Sequence, residues 1–78
     1  MMIDNKSLID QYGIFSRNIR AYRKQNQFTQ EMLAEKADLS ISYIKQIESG
    51  NEFKNVSLTA MLKLSKALGI TVRDLFES

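Results

Sequence analysis

Apolar residues recur along this chain at steps of three and four, the spacing of one face of an α-helix. Leu8, Tyr12, Phe15, Ile19 and Tyr22 form the first such stripe. It predicts a helix that starts at about Leu8 or Ile14 and ends at Gln25. Gly13 weakens its front, because glycine inside a helix costs about 1 kcal/mol relative to alanine. Thr29 is a good N-cap for a second helix, and Glu31 adds negative charge to its first turn, which the helix dipole favours. Met32, Leu33 and Ala34 follow, and the helix should end near Ala37. Asp38 then occupies a turn that wants a residue tolerant of the left-handed region. Ser40 caps a third helix that runs to about Ser49, with Ile44 and Ile47 inward and Tyr43 alongside; Gly50 stops it. The segment 51–56 is a loop. Ser57 caps a fourth helix, Leu58 to Leu68, with Leu58, Met61, Leu62, Ser65 and Leu68 as its core stripe and Gly69 as its stop. Thr71 caps a short fifth helix from Val72 to about Glu77, with Leu75 and Phe76 as its apolar residues. Five helices and no strand candidate predict an all-α domain.

Composition narrows what such a domain can do. Seventy-eight residues, 44% of them hydrophobic, make one small folded domain. Cys and His are both absent. That excludes zinc fingers, thiolate nucleophiles, serine-histidine triads and disulfide frameworks, so neither a metal nor a cofactor is expected. Glu31 and Glu35 fall on an ordinary helix face, and no nucleophile is paired with a base, so an enzyme is not expected. The first residues, MMIDNKSLIDQYG, carry an acid at Asp4 and no apolar run, unlike a signal peptide. The longest apolar stretches are two or three residues, as in Ala60-Met61-Leu62, whereas a membrane span needs about 20. The cytoplasm is the expected compartment and no membrane the expected partner. A core of this size supplies only about 3–5 kcal/mol, which points to a partner subunit.

The informative stretch is TQEMLAEKADLSISYIKQIESG, Thr29 to Gly50. Two short helices joined by a three-residue turn can cross closely only over a small residue, and Ala34 supplies one. Leu33, Ala37, Leu39, Ile44 and Ile47 offer a shared apolar interface. This is the spacing of a helix-turn-helix, whose second helix fits a major groove about 12 Å wide and reads base edges with its outward side chains.

On these residues the chain resembles the Cro/cI (XRE) family of helix-turn-helix repressors. FSRNIRAYRKQNQFTQ is similar to the family opening, with Ile19-Arg20, then Arg23, then Thr-Gln. YIKQIESG resembles the end of its recognition helix, and SLTAMLKLSKALGITVRDLF its fourth and fifth helices. The resemblance covers about Phe15 to Phe76. It implies a five-helix, lambda-repressor-like domain over residues 14–78, with residues 1–13 as an amino-terminal arm or helix extension. It further implies that Gln30 holds a DNA phosphate and braces the recognition helix, 40–49. Ile41, Ser42 and Gln46 match positions that face base edges, with Tyr43 and Lys45 flanking them. Thr29 belongs to the same Thr-Gln pair as Gln30. Ser40 and Ser49 match phosphate contacts, as do Lys54 and Asn55 in the following loop. Arg23 and Glu48 match a buried ion pair. Two departures stand out: Asp38 replaces the common glycine of the turn, and the loop before Ser57 is longer than in the shorter family versions.

The side chains themselves suit these roles. The Gln46 amide can pair with adenine N6 and N7, Ile41 can cover a thymine methyl, and Ser42 discriminates weakly. Lys45 can meet guanine or a phosphate, and Tyr43 is expected in a half-buried position ahead of a base contact. No arginine lies in this helix, so a target richer in A·T than in G·C is expected. Arg17, Arg20, Arg23 and Lys24 occur with no acid between Ile14 and Gln27. The net charge is only +2, so any basic surface is local, and Arg17 and Arg20 are its phosphate candidates.

The expected function is sequence-specific regulation of transcription by a homodimer on double-stranded DNA with two-fold symmetry. Ile70, Val72, Leu75 and Phe76 are the first candidates for the dimer interface, and Ile3, Leu8 and Ile9 the second. Phe53, an aromatic residue in a loop, fits either packing on the domain or a dimer surface. With the sequence running to Ser78, no small-molecule sensor domain is expected. The run Asn55-Val56-Ser57-Leu58 also resembles controller proteins of restriction-modification systems. Phage-type repressors, antitoxin-like regulators and a protein-interaction module without DNA binding are the alternatives.

Overall fold

The computed structural model describes residues 5–50 and 55–78. Lys54, Phe53 and Ile3, all candidates above, lie outside the described residues. Four α-helices follow one another: α1 (Asn5–Gln25), α2 (Gln30–Ala37), α3 (Ile41–Ser49) and α4 (Leu58–Leu68). A single 3-10 turn, Arg73–Phe76, comes last. No strand occurs among the described residues.

The first helix starts earlier than its stripe suggested and passes through Gly13 without a break. Its front half has its own apolar contacts. Leu8, Tyr12 and Phe15 line a groove of about 190 Å³ with Gln11, Val56, Met61 and Phe76. That packing offsets the cost of a glycine within the helix.

The expected fifth helix is a 3-10 turn, so the described residues hold four α-helices. Thr71 and Asp74 do form a reciprocal cap. The Thr71 N–H donates to Asp74 Oδ2 at 3.0 Å, and the Asp74 N–H donates to Thr71 Oγ1 at 3.2 Å. The backbone bonds that follow span three residues, from Asp74 to Thr71 and from Leu75 to Val72, both at 3.1 Å. The side-chain amide of Asn18 on α1 then donates to the carbonyls of Asp74, Leu75 and Glu77 at 3.2, 3.0 and 2.7 Å. Carbonyls that a longer helix would pair internally are paired across the molecule instead.

One core joins all the elements. Phe15, Ile19, Leu33, Ala34, Ala37, Ile44, Ile47, Leu64, Leu68 and Leu75 form a single buried cluster. On α4 the inward positions are Ala60, Leu64, Ser65 and Leu68. Leu58 and Leu62, expected in that stripe, are 64% and 53% exposed. Both sets are spaced helically, but the buried one is centred on Leu64, which leaves Leu58 and Leu62 on the flank. Leu75 is also a correction. It is fully buried in its own chain, so it belongs to the core and has no surface to offer a second subunit. Phe76 stacks on Phe15, ring centroids 5.5 Å apart, and remains 37% exposed.

Candidate nucleic-acid interface

Each boundary of the α2–turn–α3 unit is held by a local device. The Thr29 hydroxyl accepts the N–H of Met32 at 3.0 Å. The Met32 sulfur accepts the N–H of Thr29 in return, at 3.5 Å. This is a capping box with sulfur where a carboxylate usually stands. Asp38 ends α2 in the left-handed region, at φ 55°. The next residue donates from the Leu39 N–H to the Ala34 carbonyl at 2.9 Å, the bond pattern of a Schellman ending. Lys63 of α4 reaches the same turn, 3.5 Å from the Asp38 carboxylate. Ser40 opens α3 by accepting the Tyr43 N–H at 3.1 Å, and Gly50 closes it at φ 66°.

The two faces of α3 are sharply different. Ile44, Ile47 and Glu48 are buried. Ser42, Lys45, Gln46 and Ser49 are exposed, and their spacing of three, one and three residues sets them on one face. Among the described residues, no hydrogen bond or ion pair engages the side chains of Ser42, Lys45 or Gln46. The Ser49 hydroxyl donates to the Gln46 carbonyl at 2.8 Å. Ile41 and Tyr43 are half-buried and pack against the core, so they border the outward stripe rather than belong to it.

Glu48 is the node that ties this helix to the others. Arg23 of α1 donates from Nε to its Oε2 at 2.7 Å and from Nη2 to its Oε1 at 3.0 Å. Gln30, first in α2, donates to the same Oε1 at 3.2 Å. Arg20 donates from Nη2 to the main-chain carbonyl of Glu48 at 2.5 Å. Arg23 also holds the Phe28 carbonyl at 2.9 Å, at the entrance to α2. A buried carboxylate is tolerable only when it is paired and hydrogen-bonded, and three donors here meet that condition. No buried polar side-chain atom among the described residues lacks a partner.

The other candidates are dispersed. Arg17, Thr29, Ser40 and Asn55 are exposed, and Gln30 and Arg20 are half-buried. The hydroxyls of Thr29 and Ser40 are already acceptors in caps, with their donor hydrogens left to point outward. Ile70 and Val72 are half-buried. The Gln30 bond to Glu48 is the expected brace of the recognition helix, whereas sequence reasoning missed the Arg20 bond to Glu48 and the Asn18 tie. Each of the missed ties joins residues far apart in the chain, and no local pattern announces it.

Comparison with known proteins identifies the family of this fold. The helix-turn-helix family model matches residues 19–75. The chain is 40% identical over 65 residues to "Control protein C.BamHI" of Bacillus amyloliquefaciens, covering 82% of this chain and 78% of that one. It is 39% identical over 62 residues to "Control protein C.SmaI" of Serratia marcescens, covering 80% and 71%. Among solved structures, it resembles the restriction-modification controller protein C.AhdI from Aeromonas hydrophila. The TM-score is 0.76 with 38% identity, over 83% of this chain and 96% of that one.

Proposed function

We propose a specific role for this chain, which belongs to the XRE-type helix-turn-helix family of DNA-binding transcription regulators: it binds a two-fold symmetric operator as a homodimer, with α3 in the major groove. The observation that carries this reading is the exposed stripe of Ser42, Lys45, Gln46 and Ser49 on a helix whose opposite face is locked by Ile44, Ile47 and Glu48. A rigid helix that presents outward polar groups, with the side chains of Ser42, Lys45 and Gln46 not engaged by other described residues, is what base reading requires. Gln46 pairs with adenine, Ser42 and Lys45 assist, and Ile41 borders a thymine methyl. Arg17, Thr29, Gln30, Ser40, Ser49 and Asn55 meet phosphates, which set position and affinity rather than sequence.

The similarity to control proteins and to C.AhdI favours a controller of a restriction-modification system over an antitoxin-like regulator. The homodimer uses the apolar surface that the fold leaves uncovered. Leu58, Met61 and Leu62 share a face of α4, and Phe76 lines the same groove as Met61. Ile70 and Val72, half-buried near the end of the chain, are further candidates for this surface, and Leu75 belongs to the core. No helix among the described residues is long and apolar enough to cross a membrane, in keeping with work on DNA in the cytoplasm.

Selection from random duplexes, followed by gel shift at two salt concentrations, tests this. The expected product is a pair of inverted half-sites about 34–36 Å apart, centre to centre, bound less tightly as salt rises. Equal binding to selected and random duplexes at low salt overturns the reading and leaves a protein-interaction module as the alternative.

A further inference from the structure

We propose that Arg20 is a positioning residue for base recognition: its guanidinium holds the main-chain carbonyl of Glu48, and this hold, not a phosphate contact, is what DNA recognition takes from it. The proposal rests on the role of α3 given above. Arg20 and Arg23 lie one turn apart on α1 and grip the same residue of α3 in different ways. Arg23 binds the Glu48 carboxylate, at 2.7 and 3.0 Å. A grip on a side chain leaves the helix itself free to shift by rotation about the torsions between carboxylate and backbone. Arg20 binds the carbonyl, which is part of the helix.

That carbonyl lies in the last turn of a nine-residue helix, where the final four carbonyls have no partner within the helix. A cation is favoured there by the helix dipole, and a charged donor makes a stronger bond than a neutral one. The fully buried apolar residues of α3 are Ile44 and Ile47, one turn apart, with Ile41 and Tyr43 half-buried beside them. Apolar contacts are non-directional, so they resist a small roll of so short a helix only weakly. Such a roll moves Ser42, Lys45 and Gln46 together. Holding the backbone at Glu48 opposes it. Burial separates the basic residues of α1 in the same way. Arg17 and Lys24 are exposed, whereas Arg20 is half-buried with its guanidinium turned to α3.

The two roles of Arg20 differ in what they do to random DNA. Losing a phosphate contact weakens all sequences alike and lowers the salt slope by about 1. Losing a positioning bond weakens only the sequence that α3 reads. The experiment compares wild type, Arg20→Met and Arg17→Met on a selected duplex and a random duplex across a salt series. For Arg20→Met the expected result is a loss of about tenfold or more on the selected duplex, the size of one bond to a charged donor. Its affinity for random DNA and its salt slope should stay at wild-type values. Arg17→Met should weaken both duplexes alike. Equal weakening of both duplexes by Arg20→Met, or no weakening of either, overturns the proposal. A thermal melt checks that Arg20→Met folds. If it does not, proton exchange of the Arg20 guanidinium in the free wild-type protein decides, measured by NMR against that of Arg17. Slower exchange at Arg20 supports the bond to Glu48, and equal exchange overturns it. A wild-type protein that fails to prefer the selected duplex overturns DNA reading itself. That outcome is distinct from the failure of Arg20, in which wild type and Arg20→Met prefer it equally.

Discussion

α3 and α4 begin and end alike. Each is entered through a serine whose hydroxyl accepts the N–H three residues on, Ser40 from Tyr43 at 3.1 Å and Ser57 from Ala60 at 3.0 Å. Each leaves through a glycine in the left-handed region, Gly50 at φ 66° and Gly69 at φ 71°. Each buries apolar residues on one face. Their outward faces diverge: Ser42, Lys45, Gln46 and Ser49 are all polar on α3, whereas on α4 Leu58 and Leu62 are exposed beside Thr59 and Lys66. Their buried polar residues diverge too. Glu48 is satisfied by α1 and α2, whereas the Ser65 hydroxyl donates to the Leu62 carbonyl one turn back in its own helix, at 3.0 Å. Identical punctuation therefore starts and stops a helix without saying what it is for. α4 takes its place mainly from apolar packing, which tolerates small shifts, with an exposed Lys63–Asp38 pair and a bond from Asn26 to the Leu68 carbonyl at its edges. α3 is fixed in addition by directional bonds to two other helices, as a helix must be if its outward atoms are to meet base edges.

The largest test of this contrast compares the two buried polar residues. Glu48→Ala leaves the Arg23 guanidinium, 12% exposed, without its carboxylate. Breaking such a pair from one side costs about 3–5 kcal/mol. It also releases Gln30 and so loosens the joint between α2 and α3. Ser65→Ala removes a hydroxyl that serves only its own helix and should cost less than about 1 kcal/mol. Urea unfolding of both variants measures the difference. Costs of similar size would mean that the bonds to Glu48 add little to the apolar contacts that hold α3.

Local chemistry explains why so much of this fold was legible. Capping needs one residue at one place, so Thr29, Ser40, Ser57, Gly50 and Gly69 mark helix ends within a residue or two. The outward stripe of α3 follows from spacing once Ile44 and Ile47 are assigned inward. What was not legible depends on contacts distant in the chain. Leu58 and Leu62 lie on a helical stripe as regular as the buried one, and only the position of α1 and α2 decides which of the two is covered. The last segment has a good cap at Thr71, yet Asn18, more than fifty residues earlier, claims its carbonyls and keeps it a 3-10 turn. Arg20 looked like one more surface cation, because nothing near it in the sequence says that its guanidinium turns inward.

The outward faces supply the second test. Gln46→Ala should weaken binding to the selected duplex by about 1–3 kcal/mol and relax the preference at one base pair, with little change in folding stability. Leu58→Gln on α4 should instead leave folding nearly unchanged, since that side chain is 64% exposed. It should weaken self-association by about 2 kcal/mol, roughly the burial of one leucine. Sedimentation across a concentration series reads the second effect and gel shift the first. If Leu58→Gln leaves association untouched, the exposed leucines of α4 are not the dimer surface. If Gln46→Ala weakens selected and random duplexes alike, the stripe on α3 supplies affinity without reading sequence.

The smallest effect tests the part of the comparison in which the helices agree. Alanine at Gly50 or Gly69 must adopt a positive φ, which costs an L-residue about 1–2 kcal/mol. The less flexible unfolded chain returns about 0.4–1 kcal/mol of that. An added Cβ at Gly69 would meet nothing within 4 Å, and one at Gly50 would lie 3.7 Å from the Ser16 Cβ, an ordinary contact. Neither site adds a clash, so both variants should lose about 1 kcal/mol and lose it equally, as thermal unfolding would measure. A markedly larger loss at Gly50 would mean that the end of α3 bears strain that the end of α4 does not. The two stops would then differ in kind, and the precision of the outward stripe would depend on the backbone at Gly50 as well as on the bonds to Glu48.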